Sequence, residues 1–219
     1  MKKVWRENGL SLVLVIITVI TLVGNAITGW HENNDELSDY GRAALSFTAY
    51  LRSGHFIESV FENWESEFLQ MGLYVLLTVF LYQKGSAESK DPDESEEVDR
   101  QPASDRSDAP WPVRRGGRVL AVYQNSLSLA FFLLFALSFF LHALGGAKQY
   151  NAEQALKGKA ERVDMWQFMG TSEFWFQSLQ NWQSEFLSVL AIVVLSIFLR
   201  QKGSPESKPV DASDQETGT

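Results

Sequence analysis

Apolar residues in this chain gather into four long stretches, Gly9–Gly29, Ser66–Tyr82, Val119–Gly146 and Ser184–Leu199, from which charged residues are almost absent. Each supplies roughly 17–25 helical residues, the length that crosses a hydrocarbon core of about 30 Å. Ser66–Tyr82 and Ser184–Leu199 reach that length only with the residues just before them. The pattern predicts an all-α, polytopic membrane protein with four transmembrane helices at about 9–29, 64–83, 119–144 and 182–200.

These stretches pair into two tandem helical hairpins because the sequence repeats. Asn63–Lys90 (NWESEFLQMGLYVLLTVFLYQKGSAESK) and Asn181–Lys208 (NWQSEFLSVLAIVVLSIFLRQKGSPESK) agree at 17 of 28 positions, without a gap, at an offset of 118. Asn8-Gly9-Leu10-Ser11-Leu12 matches Asn125-Ser126-Leu127-Ser128-Leu129 at an offset of 117, as Ala26 and Gly29 match Ala143 and Gly146. A fixed internal period sets the architecture. It gives a first repeat at 1–84 with an outer loop at 30–63, and a linker at 85–117. A second repeat at 118–202 with an outer loop at 145–181 follows, then a tail at 203–219. Two crossings per repeat give both halves one orientation, so the predicted symmetry is a pseudo-twofold axis along the membrane normal. The basic start (Lys2, Lys3, Arg6) before Leu10–Val23 also has the form of a signal peptide. Its internal counterpart at Val119–Gly146 argues for a retained helix instead.

Charge orients the hairpins. The side with the N-terminus, linker and tail holds 13 of the 19 Lys and Arg residues, and the outer loops hold 6. Basic excess marks the cytoplasmic face, so both termini are expected there. The linker, rich in Ser, Pro, Asp and Glu until Trp111, and the tail have too little apolar content to offset chain entropy and read as disordered, solvated tethers. In the outer loops, Ser46–Leu51 and Asp164–Met169 open on capping residues and carry aromatics, which predicts short interfacial helices. Phe56–Trp64 and Phe174–Trp182 are also amphipathic, lead into the next crossing and read likewise as short interfacial helices. Trp30, Trp64, Trp166, Trp175 and Trp182 are expected as interfacial anchors. Gln83-Lys84-Gly85 and Gln201-Lys202-Gly203 read as helix stops with a left-handed glycine cap. Asn8 and Asn125, with Ser11 and Ser128, read as N-terminal caps. Gly24 with Thr28, and Gly145 with Gly146, read as sites of close helix approach.

Composition narrows the chemistry. The absence of cysteine excludes disulfides, thiolate metal sites and cysteine nucleophiles. A net charge of −8 argues against a nucleic-acid partner. There is no glycine-rich phosphate loop, serine nucleophile elbow or HExxH sequence. The three histidines, His31, His55 and His142, lack metal-ligand spacing, so neither a metal nor another cofactor is expected.

The residues that stand out are polar ones at membrane depth. Glu67 and Glu185 are the equivalent carboxylates of the NW-x-SEFL motif, one turn inside the outer ends of the second and fourth stretches. Ser66 and Ser184 precede them, and Asn63 and Asn181 lie one turn earlier on the same face. Asn25 and His142 occupy equivalent positions in the partner stretches. A pseudo-twofold arrangement would gather Asn25, Glu67, His142 and Glu185 into one cluster, either a proton- or cation-binding site or a set of interhelical hydrogen bonds. The repeats differ most where Glu62 and Glu65 become Gln180 and Gln183, and where Asn25 becomes His142. Any function specific to one half is to be sought at these positions.

The start Trp5–Ser11 (WRENGLS), the twice-used NW-x-SEFL and the twice-used QKGS-x-ESK resemble those of a family of small bacterial integral membrane proteins defined only as a domain of unknown function. The resemblance covers nearly the whole chain apart from linker and tail. It implies a bacterial plasma-membrane location and carries no activity, substrate or catalytic residues. The expectation is a non-enzymatic interaction or envelope-maintenance protein, in contact with the bilayer and with a homo-oligomeric or membrane-protein partner. The alternative is a small oligomeric transporter or proton/cation-conducting protein using Glu67 and Glu185.

Overall fold

A computed structural model describes residues 2–218, and among these there are helices and turns but no strand. The principal elements are α1 (Lys2–Asp39), α2 (Phe47–Tyr50), α3 (Gly54–Leu77), α4 (Trp111–Arg115), α5 (Gly117–Gln124), α6 (Ser126–Leu156), α7 (Met165–Met169) and α8 (Ser172–Phe198). One 3₁₀ turn, Glu97–Asp99, lies in the linker. The chain divides into two compact units, Met1–Phe61 with Phe140–Trp175, and Glu62–Phe139 with Phe176–Thr219.

Among the described residues, three helices, not four, are long and apolar enough to cross a membrane: α1, α6 and α8. The second predicted crossing is the one that fails. Its helix, α3, carries Glu58, Glu62, Glu65 and Glu67 between its fifth and fourteenth residues and stops at Leu77. Beyond that, Val79 and Phe80 bond back three residues and Thr78 and Leu81 four, a tightening that leads into a non-helical segment. The β-branched pair Thr78-Val79 favours helix less than the leucines before it. The apolar surfaces of the three long helices are open: Leu10 is 76 % exposed, Leu133 72 % and Leu187 61 %. A globular core does not leave such side chains uncovered.

Several boundaries also differ from the hydropathy pattern. α1 continues to Asp39 and is 38 residues long, about 57 Å at 1.5 Å per residue. The third stretch is broken at Asn125, with α5 before it and a 31-residue α6 after it that runs on to Leu156. Phe56–Trp64 and Phe174–Trp182 form the early turns of α3 and α8, not separate helices. Asn8 lies inside α1, donating to the Val4 carbonyl, and Asn125 donates to the Ala121 carbonyl, so neither caps an N-terminus.

The predicted caps of α2 and α7 are present. Ser46 Oγ accepts from the Ala49 amide. Asp164 and Gln167 form a reciprocal capping box. Each short helix is also tied to a long one by the same device. Asn34 of α1 bonds both the amide and carbonyl of Leu45, at 2.8 and 3.1 Å. Asn151 of α6 does so to Val163, at 2.8 Å for both. Asn34 and Asn151 are 117 residues apart.

In the first unit, glycine permits backbone contact between α6 and the start of α3. A Cβ on Gly145 would lie 2.5 Å from the Glu58 amide nitrogen, and one on Gly54 would lie 2.3 Å from that of Gln149. Gly29 and Gly146 receive the side chains of Tyr50 and Phe168, both fully buried. Gly24 has nothing within 4 Å, so the close approach expected there is not made.

Gly145→Ala is expected to destabilise the protein by about 1–3 kcal/mol through overpacking. Gly24→Ala should be neutral or stabilising by about 0.5–1 kcal/mol, because the open helical site only gains alanine's propensity. Thermal melts of the two variants in one detergent check the contrast.

Candidate functional site

The second unit contains a seam of polar side chains between α3 and α8. On α3 the positions are Asn63, Glu67, Gln70 and Tyr74, spaced four, three and four, with Glu62 and Glu65 beside them. On α8 they are Ser178, Asn181, Glu185 and Ser188, spaced three, four and three. Such spacings keep residues on one helix face.

Specific bonds hold the seam. Glu65 and Ser178 are both fully buried, and Ser178 Oγ donates to Glu65 Oε1 at 2.7 Å. Asn181 Nδ2 donates to the Glu62 carbonyl at 3.5 Å. Gln70 Nε2 donates to Ser188 Oγ at 3.4 Å. Glu67 lies close enough to Glu185 for their charges to interact. Ser66 and Ser184 bond back to the Asn63 and Asn181 carbonyls, so they serve their own helices.

Two of these pairs, Glu67 with Glu185 and Gln70 with Ser188, join residues 118 apart. Residues related by a twofold meet their own equivalents only on the axis. A third pair extends the line: Glu88 and Glu206 are also 118 apart, and Glu206 lies close enough to Glu88 for their charges to interact. Tyr74 donates its hydroxyl to Glu88 Oε2 at 2.6 Å. Burial pushes the Glu88 carboxyl above the usual carboxylate range; the neighbouring Glu206 acts in the same sense and the Tyr74 hydrogen bond opposes it.

Glu88 and Glu206 are positioned by the QKGS-x-ESK motif, which folds the same way twice. Gly85 and Gly203 take φ of +85° and +83°. The Ser86 and Ser204 amides close turns onto Gln83 and Gln201 at 3.1 Å. Ser86 Oγ and Ser204 Oγ accept from the Glu88 and Glu206 amides, and Ser89 and Ser207 accept from the Gln83 and Gln201 amides. The motif is a self-bonded turn, not a helix stop, since α3 ends at Leu77 and α8 at Phe198. Its lysines then collect the following chain. Lys90 pairs with Asp99 at 2.7 Å. Lys208, 1 % exposed, donates to the carbonyls of Ser213, Asp214 and Glu216. The tail closes on the first turn through Gly218 N to Ser86 O and Gly85 N to Thr217 Oγ1, both at 2.9 Å.

The remaining predicted residues lie elsewhere. Asn25 is exposed on α1. His142 is fully buried in the first unit, stacked on Phe174 with ring centroids 4.7 Å apart. Among the tryptophans, Trp30 is half-buried and its indole donates to the Leu45 carbonyl at 2.7 Å. Trp64, Trp166 and Trp175 are exposed, and Trp182 is half-buried edge-on to Phe135. His55 Nδ1 hydrogen-bonds the buried Tyr50 hydroxyl at 3.0 Å, a pairing with no sequence signal beyond proximity. Burial, then the charge of Glu32, holds the Tyr50 phenol above its usual value. Among the described residues, no group of three or more His, Asp or Glu is arranged to hold a metal ion.

The whole chain, residues 1–219, matches the family described as domain of unknown function (DUF6766), and the chain belongs to that family. No curated protein and no solved structure matches it.

Two outcomes test this geometry. Ser178→Ala removes a donor from a buried carboxylate and should cost about 1–3 kcal/mol in detergent unfolding. Because folding raises the Glu88 value, the folded form binds its proton more tightly than the unfolded chain. That stabilisation is full below the ordinary value of 4.5 and is lost as pH rises through the folded value. Hydrogen exchange at the Gly85 and Gly218 amides should show protection falling as pH rises above the ordinary value of 4.5, and staying flat in Glu88→Gln.

Proposed function

We propose that this chain is a multi-pass integral membrane protein of the bacterial plasma membrane whose work is interaction or envelope maintenance, not catalysis. The supporting observation is the open apolar surface of α1, α6 and α8, which needs hydrocarbon around it. The partners fitting this surface are the bilayer and a second copy or another membrane protein. The basic residues before α6 and after α8, with Lys2, Lys3 and Arg6 of α1, lie at the cytoplasmic face in this proposal, with both termini there. The chain must then return between α1 and α6. α3, too polar to face lipid all round, makes that return with its polar face against α8.

A specific observation favours a second function class. Glu65, Glu67 with Glu185, and Glu88 with Glu206 belong to one helix pair and its two turns. Ionisable groups in such a row suit proton or cation passage. In that case Glu67 and Glu185 are the exchanging groups, and oligomers supply the remaining walls.

Carbonate-resistant membrane association and flotation with liposomes are the expected results, and a soluble, non-floating chain overturns the membrane proposal. In proteoliposomes, the interaction class predicts no proton or cation flux above empty vesicles. Flux that falls at least tenfold in Glu67→Gln/Glu185→Gln, with folding intact, replaces it by the conducting class.

A further inference from the structure

The first unit holds a groove of about 650 Å³ beside α1, within the size range of small-molecule sites of about 300–1,000 Å³. Its walls are Leu22, Val23, Ala26 and Ile27 of α1 with Phe47 and Phe56 opposite, and Trp30 and Leu51 complete it. Every lining side chain is apolar or aromatic. The one polar atom among them, the Trp30 indole nitrogen, is already bonded to the Leu45 carbonyl. An occupant therefore offers hydrocarbon and receives no hydrogen bond from these side chains.

We propose that this groove binds an acyl chain of a phospholipid, with the lipid phosphate at the loop that follows α2. The inference rests on the membrane proposal above. Leu22–Ile27 lie in the apolar run of α1, so the medium at the mouth of the groove is hydrocarbon. Arg52, next in the chain to the lining residue Leu51, is exposed and, with Arg42, is one of two basic residues between 30 and 63. An arginine at the polar end of an apolar groove matches a phosphodiester at the end of an acyl chain.

The second repeat shows how such a groove is filled by protein. At the positions of Leu22 and Val23 it has Phe139 and Phe140. The Phe140 ring meets Trp166 edge-on with centroids 6.1 Å apart, where the first repeat has the small Thr48 at the position of Trp166. Aromatic volume that Phe139, Phe140 and Trp166 supply in the second repeat is not supplied by Leu22, Val23 and Thr48 in the first, so the site is assigned to the first repeat.

The test is lipid retention by the full chain purified in a mild detergent, read by native mass spectrometry and lipid extraction. About one phospholipid per chain is expected. Leu22→Phe/Val23→Phe, which borrows the second repeat's residues, should reduce retention at least tenfold, and Arg52→Ala several-fold. A phospholipid with a photoreactive acyl chain, added to the unmodified protein, should label the groove residues in preference to the rest of α1, whatever the folding of the variants. Equal retention in the double variant, uniform labelling of α1, or a dimer that the double variant dissolves each overturns the proposal, the last in favour of a second copy. A chain that floats with liposomes but retains no lipid sinks only this site, whereas one that does not float sinks the membrane reading as well.

Discussion

The hydrogen-bonded polar seam between α3 and α8 is the constraint on which the second unit depends. α3 carries four glutamates, Glu58, Glu62, Glu65 and Glu67, and cannot be surrounded by hydrocarbon. Its polar face is instead turned to a helix that offers hydroxyls and amides at matching levels. Ser178 satisfies Glu65, Ser188 satisfies Gln70, and Asn181 reaches the Glu62 carbonyl. Buried polar groups raise specificity only when their partners are present, so this register tolerates little sliding. α6 approaches α3 closely at Gly72, where a Cβ would lie a tight 3.3 Å from Phe131 and Phe132.

The seam also carries the symmetry of the duplication into the turns beyond the helices. Gln70 bonds Ser188, and the charges of Glu67 and Glu185 and of Glu88 and Glu206 interact, each pair 118 residues apart. Burial raises the Glu88 carboxyl, and the neighbouring Glu206 acts in the same sense. Within the seam, symmetry is broken at Glu65. Glu65 is buried and bonded, while its counterpart is the exposed Gln183. One repeat thus supplies an acid to the interior and the other does not.

Much of this was legible in the chain, but unevenly. Ser46 and Asp164 announced the starts of α2 and α7, because capping chemistry is local. Gly145 announced a close approach and delivered it, whereas Gly24, chosen by the same rule, meets nothing. Small size permits contact, but which face is packed is a tertiary matter. The apolar run of Ser66–Tyr82 promised a crossing equal to the others. Its shortfall comes from the acidic turns before it and the early end at Leu77, which an average over composition hides. Glu67 and Glu185 stood out as repeated acids, yet Glu65, marked only as an unequal position, is the one enclosed. The linker and tail looked too polar to be placed by burial. The contacts there come instead from single cations, with Lys208 gathering three carbonyls and Arg200 bonding Ala212 O and Asp214.

The chain has no cysteine, so a pair can be introduced without interference. Gln70→Cys/Ser188→Cys, oxidised mildly in membranes or bridged by a short bis-maleimide, reads the seam where equivalent residues meet. Efficient cross-linking within one chain is the predicted result, with little between chains. Cross-linking only between chains, or none while a control pair on the same helices reacts, would contradict a seam in which α3 meets α8 at equivalent positions.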